Sequence, residues 1–275
     1  MNWFELPFLR RGFVAVLLIA PLLGGLSHLV VARRLAFLST ALGQAALTGL
    51  TIGLALGEPL DEPWGGMTGF CLLLALLMVW LKRRAALPAD TLIGVFVAFT
   101  LGLGICLLVA VTQRFNVHQI EALMFGSLLT VTDGDLVRLA LLLVAVVVVL
   151  HRSYNDLLLD SVAPTLAPAH VKNRARLEYL LVIVLTVAIV ASLKIVGALL
   201  VEALVVIPAA AGRQLATTLR AHLLASIAIA FLGGTGGLAL SCAFSVPSGG
   251  AVVLALALLF VLAYAVGAVH RARKR

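Results

Sequence analysis

The chain has 275 residues, of which 63% are hydrophobic and 12% are charged, and its mean hydropathy is +1.16. A soluble domain has about 45–50% apolar and about 25% charged residues, so this composition excludes a soluble globular protein. The formal net charge of +8 does not require a nucleic-acid partner, because Lys and Arg concentrate in the connections assigned to the cytoplasm. The sequence therefore predicts an integral membrane protein that binds the lipid bilayer and no nucleic acid.

Apolar runs of about 16–24 residues recur along the chain and indicate membrane-spanning helices. No run alternates as a barrel strand would, and only a closed backbone hydrogen-bond ladder is stable in hydrocarbon. We expect an all-α polytopic helical bundle with about nine spans, and eight or ten stay open because 178–211 reads as two spans or as one span and a re-entrant piece. The predicted spans lie near 12–31, 36–57, 66–81, 88–112, 135–151, 178–193, 195–211, 221–243 and 249–270.

The two ends of the chain are assigned to opposite sides of the membrane. With the 82–84 loop and the 270–275 tail in the cytoplasm, an odd number of spans places the N-terminus outside. Arg10 and Arg11 favour the opposite orientation, and "LRRGFVAVLLIA" also resembles a signal peptide. Eight further hydrophobic segments follow without a clear small-residue cleavage site, so we interpret this stretch as the first span. The whole chain, 1–275, is predicted to be a single membrane domain.

A polar stripe runs along the second predicted span. Four residues share one face of its helical wheel: Thr40, Gln44, Thr48 and Thr51. Three glycines share the opposite face, which predicts a close-packing surface: Gly49, Gly53 and Gly57. The hydroxyls and the amide could serve only as hydrogen bonds between helices. The central Gln44, facing away from the glycines, favours a face that lines a water-accessible path.

Glu202 is the second polar feature expected inside the membrane, after the stripe. A carboxylate near mid-span costs about 2.5–3.5 kcal/mol on insertion scales, so it must have a partner or water. It contacts a cation or lines the transport path, or it is buried between helices as a protonated or ion-paired glutamate, for which Arg138 and Lys194 are conceivable partners. Pro208 in the same segment is expected to break or kink the helix.

Sites of other chemical classes are not indicated by the sequence. The three cysteines, at 71, 106 and 242, have no ligand-like spacing, and His28, His118 and His222 are far apart in sequence. No nucleotide-binding, metalloprotease or hydrolase motif is present. The chain is therefore not expected to be an enzyme, and uphill transport needs an ion gradient or a separate ATPase.

Several segments together resemble the permease subunit of the bacterial ABC transporters that import zinc, manganese or iron. They are "FLRRGFVAVLLIAPLLGGLSHLVVARRLAFLSTALGQAALTG", "DTLIGVFVAFTLGLGICLL", "MFGSLLTVTDGDL", "LKIVGALLVEALVVIPAAAGRQLA" and "VPSGGAVVLALALLF". The resemblance implies a bacterial plasma (inner) membrane protein that works as two permease copies with two cytoplasmic ATPases and an external solute-binding protein. It also implies that the ATPase uses the ATP, while this chain binds no cofactor.

The longest polar segment, 151–179, is the coupling segment implied by the resemblance. The residues alone favour docking of a partner over a mere connection, because loops of this length are uncommon without a function. A cytoplasmic helical elbow over 156–170 is expected to contact the ATPase. Its contact residues are predicted to be Asp156, Leu157, Leu158, Leu159, Asp160 and Val162.

The sequence departs from this family in the second span. Members usually have aspartate and histidine where this chain has Thr40 and Gln44, and neutral oxygens are poor zinc ligands. The metal then passes without a tight stop, or the substrate differs, and the metal ligands stay unknown. The alternatives to a metal importer are a proton-coupled secondary transporter that titrates Glu202 and, less favoured, an intramembrane enzyme.

Overall fold

The computed structural model describes residues 7–59, 64–84, 88–112, 131–162 and 173–273. Over these ranges the chain forms nine α-helices and no strand, and nine helices are long and apolar enough to cross a membrane. The predicted all-α fold and the predicted number of spans are confirmed for this part of the chain. The helices are α1 (Pro7–Ala32), α2 (Leu38–Ala55), α3 (Trp64–Arg84), α4 (Ala89–Thr112), α5 (Asp133–Val162), α6 (Arg174–Val196), α7 (Ala198–Leu215), α8 (Leu219–Phe244) and α9 (Ser248–Arg273).

Polar residues fix several helix ends that the apolar pattern alone does not define. The Thr218 hydroxyl accepts a hydrogen bond from the Ala221 N–H at 3.2 Å at the start of α8. The side-chain oxygen of Asn173 accepts one from the Arg176 N–H at 3.1 Å at the start of α6. Both bonds satisfy backbone donors that a helix N-terminus leaves open. α5 extends well past the predicted end near 151, because a helix can continue beyond its apolar run.

The stretch from 178 to 211 forms two helices, as predicted, but the break lies elsewhere than expected. It falls at Gly197, whose φ of 89° is readily adopted by glycine and strained for other residues. α7 continues through Pro208, so the helix does not break there, and the alternative expectation of a kink at Pro208 stays a prediction. With 18 residues at about 1.5 Å per residue, α7 is about 27 Å long.

Contacts group the chain into two compact units. The first comprises Met1–Val31, Phe125–Val149 and Ser192–Arg275, and the second comprises Ala32–Met124 and Leu150–Ala191. In the first unit α7, α8 and α9 pack against one another, and in the second α2 packs against α3 and α4. The single membrane domain stays a prediction for the chain as a whole.

Candidate functional site

The C-terminal half of the polar stripe is fully buried. Thr48 donates from its Oγ1 to the carbonyl oxygen of Thr100 in α4 at 2.8 Å and lies 3.2 Å from the carbonyl oxygen of Gln44. Thr51 donates to the carbonyl oxygen of Thr48 at 2.8 Å. Thr48 and Thr51 each have 0% exposure. In this structure their hydroxyls bond to backbone carbonyls, which is a common arrangement inside membrane helices.

The N-terminal half of the stripe is more open. Thr40 and Gln44 are half-buried, although their helix neighbours Ala41 and Ala45 are fully buried. One α-helix thus places two polar side chains with accessible surface one turn apart. The assignment of all four stripe residues to a transport path stays a prediction.

The opposite face of α2 packs against α3 through glycine, which confirms the predicted close-packing surface for Gly49 and Gly53. A Cβ added at Gly49 would lie 2.5 Å from the carbonyl oxygen of Gly66 and 2.9 Å from Cα of Met67. A Cβ added at Gly53 would lie 3.3 Å from Cα of Gly66. Backbone can approach this closely only where side chains are absent.

Gly57 does not take part in this packing, so its inclusion in the glycine face is wrong. α2 ends at Ala55, and Gly57 follows it with a φ of 94°. A Cβ added at Gly57 would have no other atom within 4 Å. The carboxylate of Glu58 then accepts the Gly66 N–H at 3.0 and 3.2 Å. A negative charge is favourable at the N-terminal end of a helix, so Glu58 stabilises the start of α3.

Glu202 belongs to the first unit, whereas the stripe belongs to the second. It is half-buried and is the fifth residue of α7, about 6 Å from the start of that helix. α7 begins at Ala198 rather than near 195, so Glu202 lies in the second turn of this helix. Its expected depth near the middle of the membrane stays a prediction. One conceivable partner, Arg138, lies 3.7 Å from the carboxylate of Asp135. A path role for Glu202 stays a prediction.

Two histidines that are distant in sequence are neighbours in the first unit. The rings of His28 and His222 meet edge to face with their centroids 6.2 Å apart, and Nε2 of His222 lies 2.9 Å from the carbonyl oxygen of Ala209. Two imidazoles fall short of the three or four protein ligands of zinc sites. Nowhere in the described ranges do three or more His, Cys, Asp or Glu side chains form a candidate metal site.

The coupling segment is described only in part. Residues 156–162 form the last turns of α5, while 163–172 lie outside the described residues. Asp156 is exposed, Leu158 and Leu159 are half-buried, and Leu157 is buried at 1% exposure. Val162 ends the helix, and its side chain is not described. Asp156, Leu158 and Leu159 have accessible surface for a contact with the ATPase, whereas Leu157 has almost none. The assignment of this segment to the ATPase stays a prediction.

Sequence patterns missed a group of charges in the second unit, here named the ion-pair cluster. It consists of Arg33, Lys82, Arg83, Asp160, Arg174 and Glu178, which border a cavity of about 530 Å³. Asp160 pairs with Arg33 at 3.0 Å and Arg174 at 2.6 Å. Glu178 pairs with Lys82 at 2.7 Å and lies 3.7 Å from Arg83. One signal in the sequence could have indicated this cluster: residues of opposite charge lie near helix ends that were all assigned to the same side of the membrane.

Arg33 is the most buried cation of this cluster, with 11% of its side chain exposed. Burial lowers the pKa of its guanidinium, and the neighbouring Asp160 and Glu178 oppose that shift. An arginine begins from so high a pKa that it keeps its charge. The cluster therefore contains a buried ion pair between Arg33 and Asp160.

Comparison with known proteins agrees with this architecture. A model of the ABC 3 transport family matches residues 5–267. The chain is 32% identical over 256 residues to the high-affinity zinc uptake system membrane protein ZnuB of Haemophilus influenzae, covering 93% of this chain and 95% of that protein. It is 28% identical over 271 residues to the manganese import system permease protein ScaB of Streptococcus gordonii, covering 98% and 95%.

A solved structure, PsaBC from Streptococcus pneumoniae in complex with Fab, is similar with a TM-score of 0.82 and 24% identity. The match covers 96% of this chain and 93% of that chain, so it establishes the fold over nearly the full length. The family match and the relatives extend over the same length. The chain belongs to the ABC 3 transport family and is a multi-pass permease subunit of a bacterial membrane.

Proposed function

We propose that this permease moves a divalent metal ion, of the class of zinc, manganese or iron, inward across the bacterial plasma membrane. The observation that supports the proposal best is the full-length similarity to permeases named for zinc and manganese uptake. A separate cytoplasmic ATPase uses the ATP, and an external solute-binding protein delivers the ion. The chain itself has no resident cofactor and no enzymatic activity.

The proposed path lies between two copies of the chain and includes the open part of the stripe. Thr40 and Gln44 are half-buried, so a second copy could face them across a polar path. Their neutral oxygens attract a divalent ion less than carboxylate or imidazole would. Selectivity then rests mainly with the external binding protein, and the ion passes the permease without a tight stop.

The proposed contact with the ATPase uses the end of α5. Asp156 is exposed and Leu158 and Leu159 are half-buried, so these three side chains can contact a partner without unfolding the helix. Leu157 is buried, so it contributes to the fold of the second unit. Charged substitutions of Leu158 and Leu159 should abolish ATPase association, whereas the same substitution at Leu157 should destabilise the permease itself.

Purification of the tagged full-length chain from its native membranes tests the proposal. We expect an ATPase subunit with a nucleotide-binding motif to co-purify in equal stoichiometry with the permease. The same preparation with Leu158→Glu and Leu159→Glu should contain the permease and lack the ATPase. A chain that purifies alone and transports metal in response to a proton gradient would instead support the alternative, in which Glu202 is the titrating group.

A further inference from the structure

The ion-pair cluster connects the two described parts of the coupling segment. Asp160 lies in the last turn of α5 and Arg174 is the first residue of α6. Nε of Arg174 donates to Oδ1 of Asp160 at 2.6 Å. One carboxylate therefore links the last turn of α5 to the first residue of α6.

The same carboxylate contacts the connection that leads into α2. Arg33 lies between α1 and α2, and its Nη2 is 3.0 Å from Oδ2 of Asp160. That Nη2 also donates to the carbonyl oxygen of Leu157 at 3.2 Å. Arg33 thus contacts the last two turns of α5 through one side-chain and one backbone acceptor.

Arg33 is also close in sequence to the open part of the stripe. α2 begins at Leu38, and Thr40 and Gln44 lie in its first two turns. A displacement of Arg33 shifts the short connection before α2 and, with it, the start of that helix. The contacts form a continuous chain from the coupling segment, through Asp160 and Arg33, to the helix of the proposed path.

The geometry of the cluster is better suited to movement than to stability alone. A buried ion pair is weak evidence for stability, because apolar side chains of similar volume often stabilise as well or better. Here Arg33 and Asp160 are 11% and 10% exposed, yet they border a cavity of about 530 Å³. Asp160 also has a second cation, Arg174, with 42% of its side chain exposed. If the coupling segment moves, the cavity gives the side chains of Arg33 and Asp160 space to shift. Asp160 can then keep Arg174 as a partner.

We infer that Arg33 is a positioning residue: its contact with Asp160 transmits movement of the ATPase-bound coupling segment to the start of α2. This inference rests on the proposed function, since it requires an ATPase at that segment. It assigns to Arg33 a role that neither the polar stripe nor the predicted ATPase contacts include.

The test uses the complete transporter in proteoliposomes and measures metal ions imported per ATP hydrolysed. Arg33→Lys keeps the charge but loses part of the hydrogen bonding, and Arg33→Met keeps most of the volume without charge. We expect the ratio to fall about twofold with lysine and at least fivefold with methionine, while ATP hydrolysis continues. Arg11→Met is the matched control, because it breaks an exposed pair with Asp133 in the first unit and should leave the ratio unchanged.

A structural role alone would lower the amount of assembled complex and leave the ratio of import to hydrolysis unchanged in the complexes that form. A wild-type ratio in both Arg33 variants would overturn the inference. If the methionine variant does not assemble, the lysine variant alone tests the inference. An unchanged ratio of import to hydrolysis in the lysine variant would then overturn the inference. Failure of the proposed function is a separate result, since the wild-type complex itself would then show no ATP-dependent import.

Discussion

Thr48 in α2 donates its hydroxyl hydrogen to the carbonyl oxygen of Thr100 in α4, with 2.8 Å between the two oxygens. Both side chains are fully buried, so the bond fixes α2 against α4. Gln44, one turn earlier on α2, is half-buried. Two polar residues that share a face in the sequence pattern therefore differ in their surroundings.

Thiol accessibility measures this difference directly. In a variant without the native cysteines, we expect Thr40→Cys and Gln44→Cys to react with a small water-soluble thiol reagent in the assembled transporter. Gly49→Cys should not react, because that face packs against α3. Thr48→Cys would react only in a conformation in which the side chain at position 48 is exposed to water. Equal protection of all these positions would mean that the stripe only packs helices together.

The glycine contact between α2 and α3 gives a prediction of stability. Gly49→Ala should destabilise the permease by about 1–3 kcal/mol, because the added Cβ would lie 2.5 Å from the carbonyl oxygen of Gly66 and backbone yields little. Gly69→Ala in α3 is the control, since nothing lies within 4 Å of its Cβ position. Thermal unfolding in detergent checks both. Equal unfolding temperatures for the two variants would show that α2 and α3 do not approach each other closely at Gly49.

Helix number and the packing face of α2 could be predicted from sequence because both follow from local periodicity and from the thickness of hydrocarbon. The same pattern places Thr48 on a face without identifying Thr100 as its partner, since packing between helices is not encoded in the period of one helix. The ion pair between Arg33 and Asp160 was missed for the same reason. The position of Glu202 in α7 depended on the break at Gly197, which an apolar run does not mark.

The missing aspartate and histidine give a prediction about metal retention. Thr40→Asp combined with Gln44→His should raise the zinc or manganese that remains with the purified permease, because a carboxylate and an imidazole replace two neutral oxygens. Each single substitution should raise it less. Elemental analysis after desalting measures the bound metal. A double variant with no more metal than the wild type would show that these positions do not face the ion.

Replacing the polar side chain of Gln44 by an apolar one should slow transport. Gln44→Leu should lower the rate of metal import severalfold, because an apolar side chain removes the amide from the polar face while keeping its approximate volume. Initial rates of radioactive metal uptake in cells check this, at equal amounts of permease in the membrane. Import at the wild-type rate would exclude Gln44 from the path.

Glu202→Gln separates a path carboxylate from a structural one. We expect at least a severalfold loss of transport with little change in thermal stability, because the amide keeps the shape and loses the charge. Were the carboxylate instead half of a fully buried ion pair, the cost would be about 3–5 kcal/mol. Glu58→Gln is the matched control: it makes the same change in a half-buried carboxylate and should leave transport unchanged. Normal transport and normal stability of the Glu202 variant would contradict both roles.

ATP-driven metal import is tested by metal uptake into proteoliposomes that contain the permease, with and without its ATPase, the external binding protein and ATP. We expect zinc, manganese or iron import only when all components are present, and no effect of collapsing a proton gradient. Import by the permease alone, driven by a proton gradient and independent of ATP, would contradict it.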